Sequence, residues 1–166
     1  MKVARILIPV LLAVAIPAFA ERPVSLEQRL LGAHNLERLR IGTAPLSWSP
    51  VLAGQAKVWA DDLASRGKFE HAKDRHGAGE NLWMGTSGYY QPEAMIGAFI
   101  GEKQYFRAGK FPAVSTTGRW QDVGHYTQLI WPATRELGCA VATGNGRDVL
   151  VCRYLPAGNM IGAQVP

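Results

Sequence analysis

Leu137-Gly138-Cys139-Ala140-Val141-Ala142-Thr143 and Asp148-Val149-Leu150-Val151-Cys152-Arg153-Tyr154-Leu155 are two β-rich runs separated by Gly144-Asn145-Gly146-Arg147. Asn145-Gly146 suits a two-residue type I′ turn, because both central positions of that turn require positive φ, which Asn and Gly adopt at least cost. The stretch therefore predicts a β-hairpin with a fixed register. Counting outward from the turn sets Cys139 opposite Cys152 in a non-hydrogen-bonded pair, where Cα atoms approach to ~4.5 Å, near the short limit for a disulfide.

Upstream of the hairpin the periodicity changes from two to 3.6. Ser25 and Gln28 have capping-box spacing, and Leu26, Leu30, Ala33 and Leu36 then share one helical face before Gly42. A second helix starts at Ser49-Pro50, places Leu52, Ala56, Trp59 and Leu63 at helical spacing, and stops at Gly67. Residues 68–91 read as loop with a short strand near Asn81 to Met84. Pro92 opens a third helix in which Met95, Phe99, Glu102 and Phe106 fall on one face. An irregular loop from Gly109 to Asp122 leads into a short helical stretch from His125 to Trp131.

At the N-terminus, Lys2 and Arg5 precede an apolar run from Ile6 to Phe19 that closes with Ala18-Phe19-Ala20. This is the pattern of a secretory signal peptide occupying 1–20 and cleaved after Ala20. It is shorter than the ~20 residues of a spanning helix and is interrupted by Pro9 and Pro17, so stable membrane insertion after cleavage is not expected. One domain over 21–166 remains, with a net charge of +3. So small an excess gives no argument for nucleic acid. In an exported chain the two cysteines are expected to form a disulfide. No repeat or long linker marks a second domain.

Chemistry-bearing residues are few. Glu80 lies in Gly77-Ala78-Gly79-Glu80-Asn81-Leu82-Trp83, where small residues open the backbone to close approach at the rim of a cleft. Glu102 either joins an apolar stripe or reaches water through a tilted helix. His125, beside Tyr126, Leu129, Ile130 and Trp131, reads on pattern alone as an enclosed structural imidazole. Neither G-x-S-x-G, H-E-x-x-H nor a P-loop occurs.

Gly124-His125-Tyr126-Thr127-Gln128-Leu129-Ile130-Trp131 and Val149 to Met160, with Phe69-Glu70-His71, Gly79-Glu80-Asn81-Leu82 and His34-Asn35-Leu36-Glu37-Arg38, resemble the signature segments of the CAP superfamily of cysteine-rich secretory, venom allergen and pathogenesis-related proteins. The resemblance implies an α+β fold, a three-layer α-β-α sandwich with a central antiparallel sheet. It also implies a central cleft in which His71, Glu80, Glu102 and His125 converge. His76 stands nearer Glu80 in sequence, but the Phe-Glu-His context selects His71, and His34 reads as structural. Two cysteines in place of the family's frequent six or more, and the lack of a cysteine-rich extension, resemble bacterial single-domain members. Phe99 stands where the family often has tryptophan.

Two imidazoles and two carboxylates suit Zn²⁺ or another divalent cation, and equally a metal-free hydrogen-bond network. The resemblance implies a secreted or periplasmic binding module, for a metal and for a sterol, fatty acid or other small hydrophobic ligand. A metal-dependent hydrolase and a ligand-free module recognising an extracellular or envelope protein are the alternatives.

Overall fold

The computed structural model describes residues 23–166, so the signal peptide expected at 1–20 lies outside the described residues. Four helices are formed by Leu26–Arg40 (α1), Pro50–Arg66 (α2), Pro92–Gly101 (α3) and Gly124–Leu129 (α4). The strands are Ser47–Trp48 (β1), Gly79–Thr86 (β2), Gly109–Lys110 (β3), Glu136–Gly144 (β4), Arg147–Leu155 (β5) and Gln164–Val165 (β6). Turns of 3₁₀-helix at Glu102–Tyr105 and Trp120–Val123 flank the loop between α3 and α4.

The hairpin forms in the expected register. Asn145 and Gly146 both have positive φ, Gly144 pairs with Arg147, and Cys139 pairs with Cys152. The cysteines are joined, with Cα atoms 4.1 Å apart. A cross-link closing so short a loop stabilises by ~3 kcal/mol in the chain-entropy account. β2 pairs antiparallel with β5 on the far side, and two-residue β1 adds in parallel to β4, giving the order β1-β4-β5-β2. The three long strands are thus antiparallel, with one short parallel edge.

Alternation along these strands divides the core in two. Ala142, Val149, Val151 and Leu82 face α2, meeting Ala56, Ala60, Leu63 and Ala64. Leu137, Cys139, Leu150, Cys152 and Tyr154 face the opposite layer, where Leu30, Met95, Ile96, Phe99, Tyr126 and Leu129 cover them. The result is the three-layer α-β-α arrangement. α2 lies close to the sheet because Gly138 has no side chain: a Cβ there would stand 2.1 Å from the Ala53 backbone nitrogen. At its end, Asn145 Nδ2 of the hairpin turn donates to Ala64 O at 2.7 Å, reinforcing a carbonyl of the last turn that otherwise has only the long 3.4 Å bond from the C-cap Gly67 N–H.

α1 begins with the expected capping box, Gln28 N donating to Ser25 Oγ and Ser25 N to Gln28 Oε1. Its buried face differs from the apolar stripe. Leu26 and Leu36 are exposed, and the buried residues are Leu30, His34, Glu37 and Arg38. Each polar member is satisfied by hydrogen bonds, which makes its burial tolerable. Arg38 Nε donates to Ala44 O, Nη1 to Leu129 O and Trp131 O, and Nη2 to Thr134 O, at 2.7 to 3.1 Å. Burial lowers its pKa to about 10. Glu37 accepts from the Tyr126 hydroxyl at 3.2 Å.

His34 is the structural imidazole expected. A carbonyl can only accept, so Nδ1–H donates to Leu30 O at 2.7 Å and Nε2 accepts from the Tyr154 hydroxyl at 2.9 Å. Full burial lowers its pKa to about 4, with the Arg38 charge adding to the effect. The folded chain therefore holds His34 neutral, while the unfolded chain takes up a proton below pH ~6.5. This contribution is complete above pH ~6.5 and is lost as pH falls towards about 4. Urea unfolding should show ~2 kcal/mol less stability at pH ~5 than at pH ~7 from this residue, and His34→Gln should flatten the slope. An unchanged slope in that variant would assign the pH dependence to other groups.

Candidate functional site

Helix α3 ends at Gly101, earlier than the sequence pattern predicts, and Glu102 opens the tighter 3₁₀ turn. That change of pitch turns the carboxylate away from the Met95–Phe99 stripe and towards the start of α4. Glu102 Oε2 accepts from the backbone N–H groups of His125 and Tyr126 at 2.9 and 3.0 Å, and Oε1 accepts from His125 Nδ1 at 2.5 Å. The Phe99 ring stacks on the imidazole, centroids 5.0 Å apart. His125 is thereby fixed on both a hydrogen-bonding edge and a face.

A second pair is built at the opening of β2. Glu80 is fully buried, and its Oε1 accepts from His71 Nδ1 at 2.7 Å and from the Ala72 backbone N–H at 3.0 Å. Its Oε2 lies 3.0 Å from Arg153 Nη2, in an ion pair carried by the β2–β5 register. His76 turns instead to Asp74, so the pairing with Glu80 belongs to His71.

The two pairs share a design. An ionised carboxylate accepts only, so each imidazole donates from Nδ1, and in its neutral form the lone pair then lies on Nε2. Among the described residues, no hydrogen bond engages Nε2 of His71 or His125. His71, Glu80 and His125 line one cavity of about 520 Å³ between the two pairs, and Glu102 stands behind His125. Among the described residues, the group of His, Cys, Asp or Glu whose ligand atoms all lie within 4.8 Å of one another is His34, Cys139 and Cys152. Its cysteines are committed to the disulfide.

Several cleft residues lie in the signature-like segments, yet their individual roles are visible only in the fold. Gln128 accepts from Gly158 N at 2.8 Å through Oε1, closing the cleft floor against the segment after β5. A Cβ at Gly79 would stand 2.0 Å from that same oxygen, so a side chain there would push the Gln128 amide away from Gly158. Asn81 Nδ2 donates to both His125 O and the Tyr154 hydroxyl, and His34 takes the proton of that hydroxyl. Arg153 lies within a quoted signature segment, yet its partnership with Glu80 becomes visible only once the strand register is known.

Residues 31–154 match the model of the cysteine-rich secretory protein family, CAP. The chain belongs to the CAP family. It is 34% identical to pathogenesis-related protein 1C of Nicotiana tabacum over 137 residues, 82% of this chain and 78% of the relative. It is 33% identical to the secreted protein RBT4 of Candida albicans over 138 residues, 81% of this chain but 36% of that longer protein. Among solved structures, NaASP2 with Zn²⁺ superposes with a TM-score of 0.72 at 26% identity, covering 84% of this chain and 83% of that one. Na-ASP-1, at 22% identity and a TM-score of 0.69, shares the fold over 82% of this chain and 40% of its own. No described helix of this CAP domain is long and apolar enough to cross a membrane.

Proposed function

We propose that this CAP protein is an exported binding module whose cleft takes up Zn²⁺ or a similar divalent cation on His71 and His125. The carrying observation is that both imidazoles line one cavity and are held in the same way, at Nδ1, by a buried or half-buried carboxylate. With Nδ1 engaged by the carboxylate, Nε2 is the nitrogen left to donate a lone pair to a cation. A carboxylate behind a ligating imidazole fixes its tautomer and raises its basicity. Glu80 and Glu102 fit that supporting role as they stand, with direct coordination falling to the histidines. The similar NaASP2 was solved with Zn²⁺, which supports the reading, and the disulfide together with a relative named as secreted supports export. When bound, the cation would supply a Lewis-acidic centre.

Protons compete with metal for Nε2, so affinity should fall on acidification. Calorimetry with zinc chloride at pH about 7.5 and about 5 should show at least about tenfold weaker binding at the lower pH. The double variant His71→Ala/His125→Ala should bind at least about 100-fold more weakly while keeping its circular dichroism, and Glu102→Gln should bind ~10- to 100-fold more weakly. Equal affinity in wild type and double variant would place any binding elsewhere.

A small hydrophobic ligand at the cleft margin, of the sterol or fatty-acid kind, is a second reading. Exposed Met160 and Ile161 follow directly on cleft-lining Asn159, and part-exposed Trp120 lines the same cavity.

A further inference from the structure

A second cavity of about 550 Å³ opens on the other side of the 70–76 loop, between that loop and the outer face of α2, with Arg153 among its lining residues. Its size is that of a small-molecule site. Three buried polar atoms of its lining residues lack a partner. The Arg153 side chain is 3% exposed, yet beyond the Nη2 contact with Glu80 its Nε and Nη1 have no acceptor among the described residues. Gln55, one helical turn before Trp59, has its Oε1 buried with no donor. Unsatisfied buried donors and acceptors are rare in native proteins and call for a partner.

The unmet groups define what that partner must offer. Arg153 requires an acceptor and Gln55 Oε1 requires a donor. Charge favours neither sign, because Arg66, Lys73 and Arg153 are matched by Glu70, Asp74 and Glu80. Beside these polar atoms lie the Val58 side chain, largely exposed, and the Trp59 ring, whose Nε1–H is anchored to Glu70 O at 3.1 Å. A neutral group bearing a carbonyl and an N–H, with an apolar substituent, meets all of these conditions.

We propose that this cavity binds a neutral amide, its carbonyl accepting from the Arg153 guanidinium, its N–H donating to Gln55 Oε1, and its apolar substituent lying on Val58 and Trp59. The ligand is a small free amide or a segment of peptide backbone. The site is distinct from the cleft, although His71 lines both cavities, and the inference does not depend on metal binding.

The test is a ¹⁵N NMR titration of the mature protein that follows the Trp59 indole N–H. N-acetyl-L-leucine amide should shift it saturably. Isoamyl acetate, with a carbonyl and a branched body but no N–H, should bind about fivefold more weakly, and N-acetyl-L-leucine, which adds a negative charge, should bind no more tightly. Gln55→Leu on the partly exposed face of α2 should weaken the amide about fivefold and leave the ester unchanged. Acetyl-Gly-Leu-Gly-amide binding more tightly than the leucine amide marks a peptide segment as the source, and weaker binding marks a small free amide. Equal affinity for ester and amide, or an unchanged Gln55→Leu variant, overturns the proposal. No shift with any probe up to about 50 mM also overturns it and leaves the orphaned atoms to water.

Discussion

Replacing Arg38 with methionine should cost about 4 kcal/mol of stability, read as a lowered urea midpoint with an unchanged slope. The side chain is fully buried and donates to four backbone carbonyls, those of Ala44, Leu129, Trp131 and Thr134. Methionine fills most of the space, and although Trp131 O keeps the Thr134 N–H and Thr134 O keeps Arg135 Nη1, the carbonyls of Ala44 and Leu129 are left without a donor among the described residues, each unsatisfied buried acceptor costing ~1–3 kcal/mol. Arg38→Lys should recover little, because a single ammonium cannot reproduce a planar fork that serves carbonyls in several directions. A loss below about 1 kcal/mol in Arg38→Met would mean that water replaces the guanidinium at those carbonyls.

Gly138→Ala should cost ~3 kcal/mol, because an added methyl overpacks a tight contact. The new Cβ would stand 2.1 Å from Ala53 N, 2.5 Å from Leu52 C and 2.6 Å from Leu52 Cβ. Two of these atoms are backbone in the first turn of α2, so no rotamer change relieves the clash. Either the helix lifts from β4 or the strand bends, and both loosen the contact between α2 and the sheet. Thermal unfolding checks it: an unchanged midpoint would show that α2 rides on the sheet with slack to spare.

How far the sequence could be read depended on which interactions leave a local trace. The hairpin did so, because a two-residue turn fixes every pair beyond it, and the cysteine pairing followed from counting. The caps of α1 and α2 were equally local. The buried face of α1 was not, since counting apolar residues selects Leu26 and Leu36, whereas burial goes to His34, Glu37 and Arg38, whose hydrogen-bond partners lie up to 120 positions away. Glu102 was located by family resemblance, but its orientation depends on the change from α to 3₁₀ pitch at Gly101, which periodicity alone did not reveal. Arg153 gained its role only from the register between β2 and β5.

Helix α4 has six residues, far fewer than an isolated helix needs to persist in water. Glu102 receives the amides at its positive end, and Arg38 receives the Leu129 carbonyl at its negative end. Two side chains from distant parts of the chain therefore act as splints for a segment with almost no helical stability of its own. Its amide protons should exchange with solvent only through openings that also release Arg38 or Glu102. Because His125 sits in this splinted turn, the cleft should open whenever α4 loses either splint.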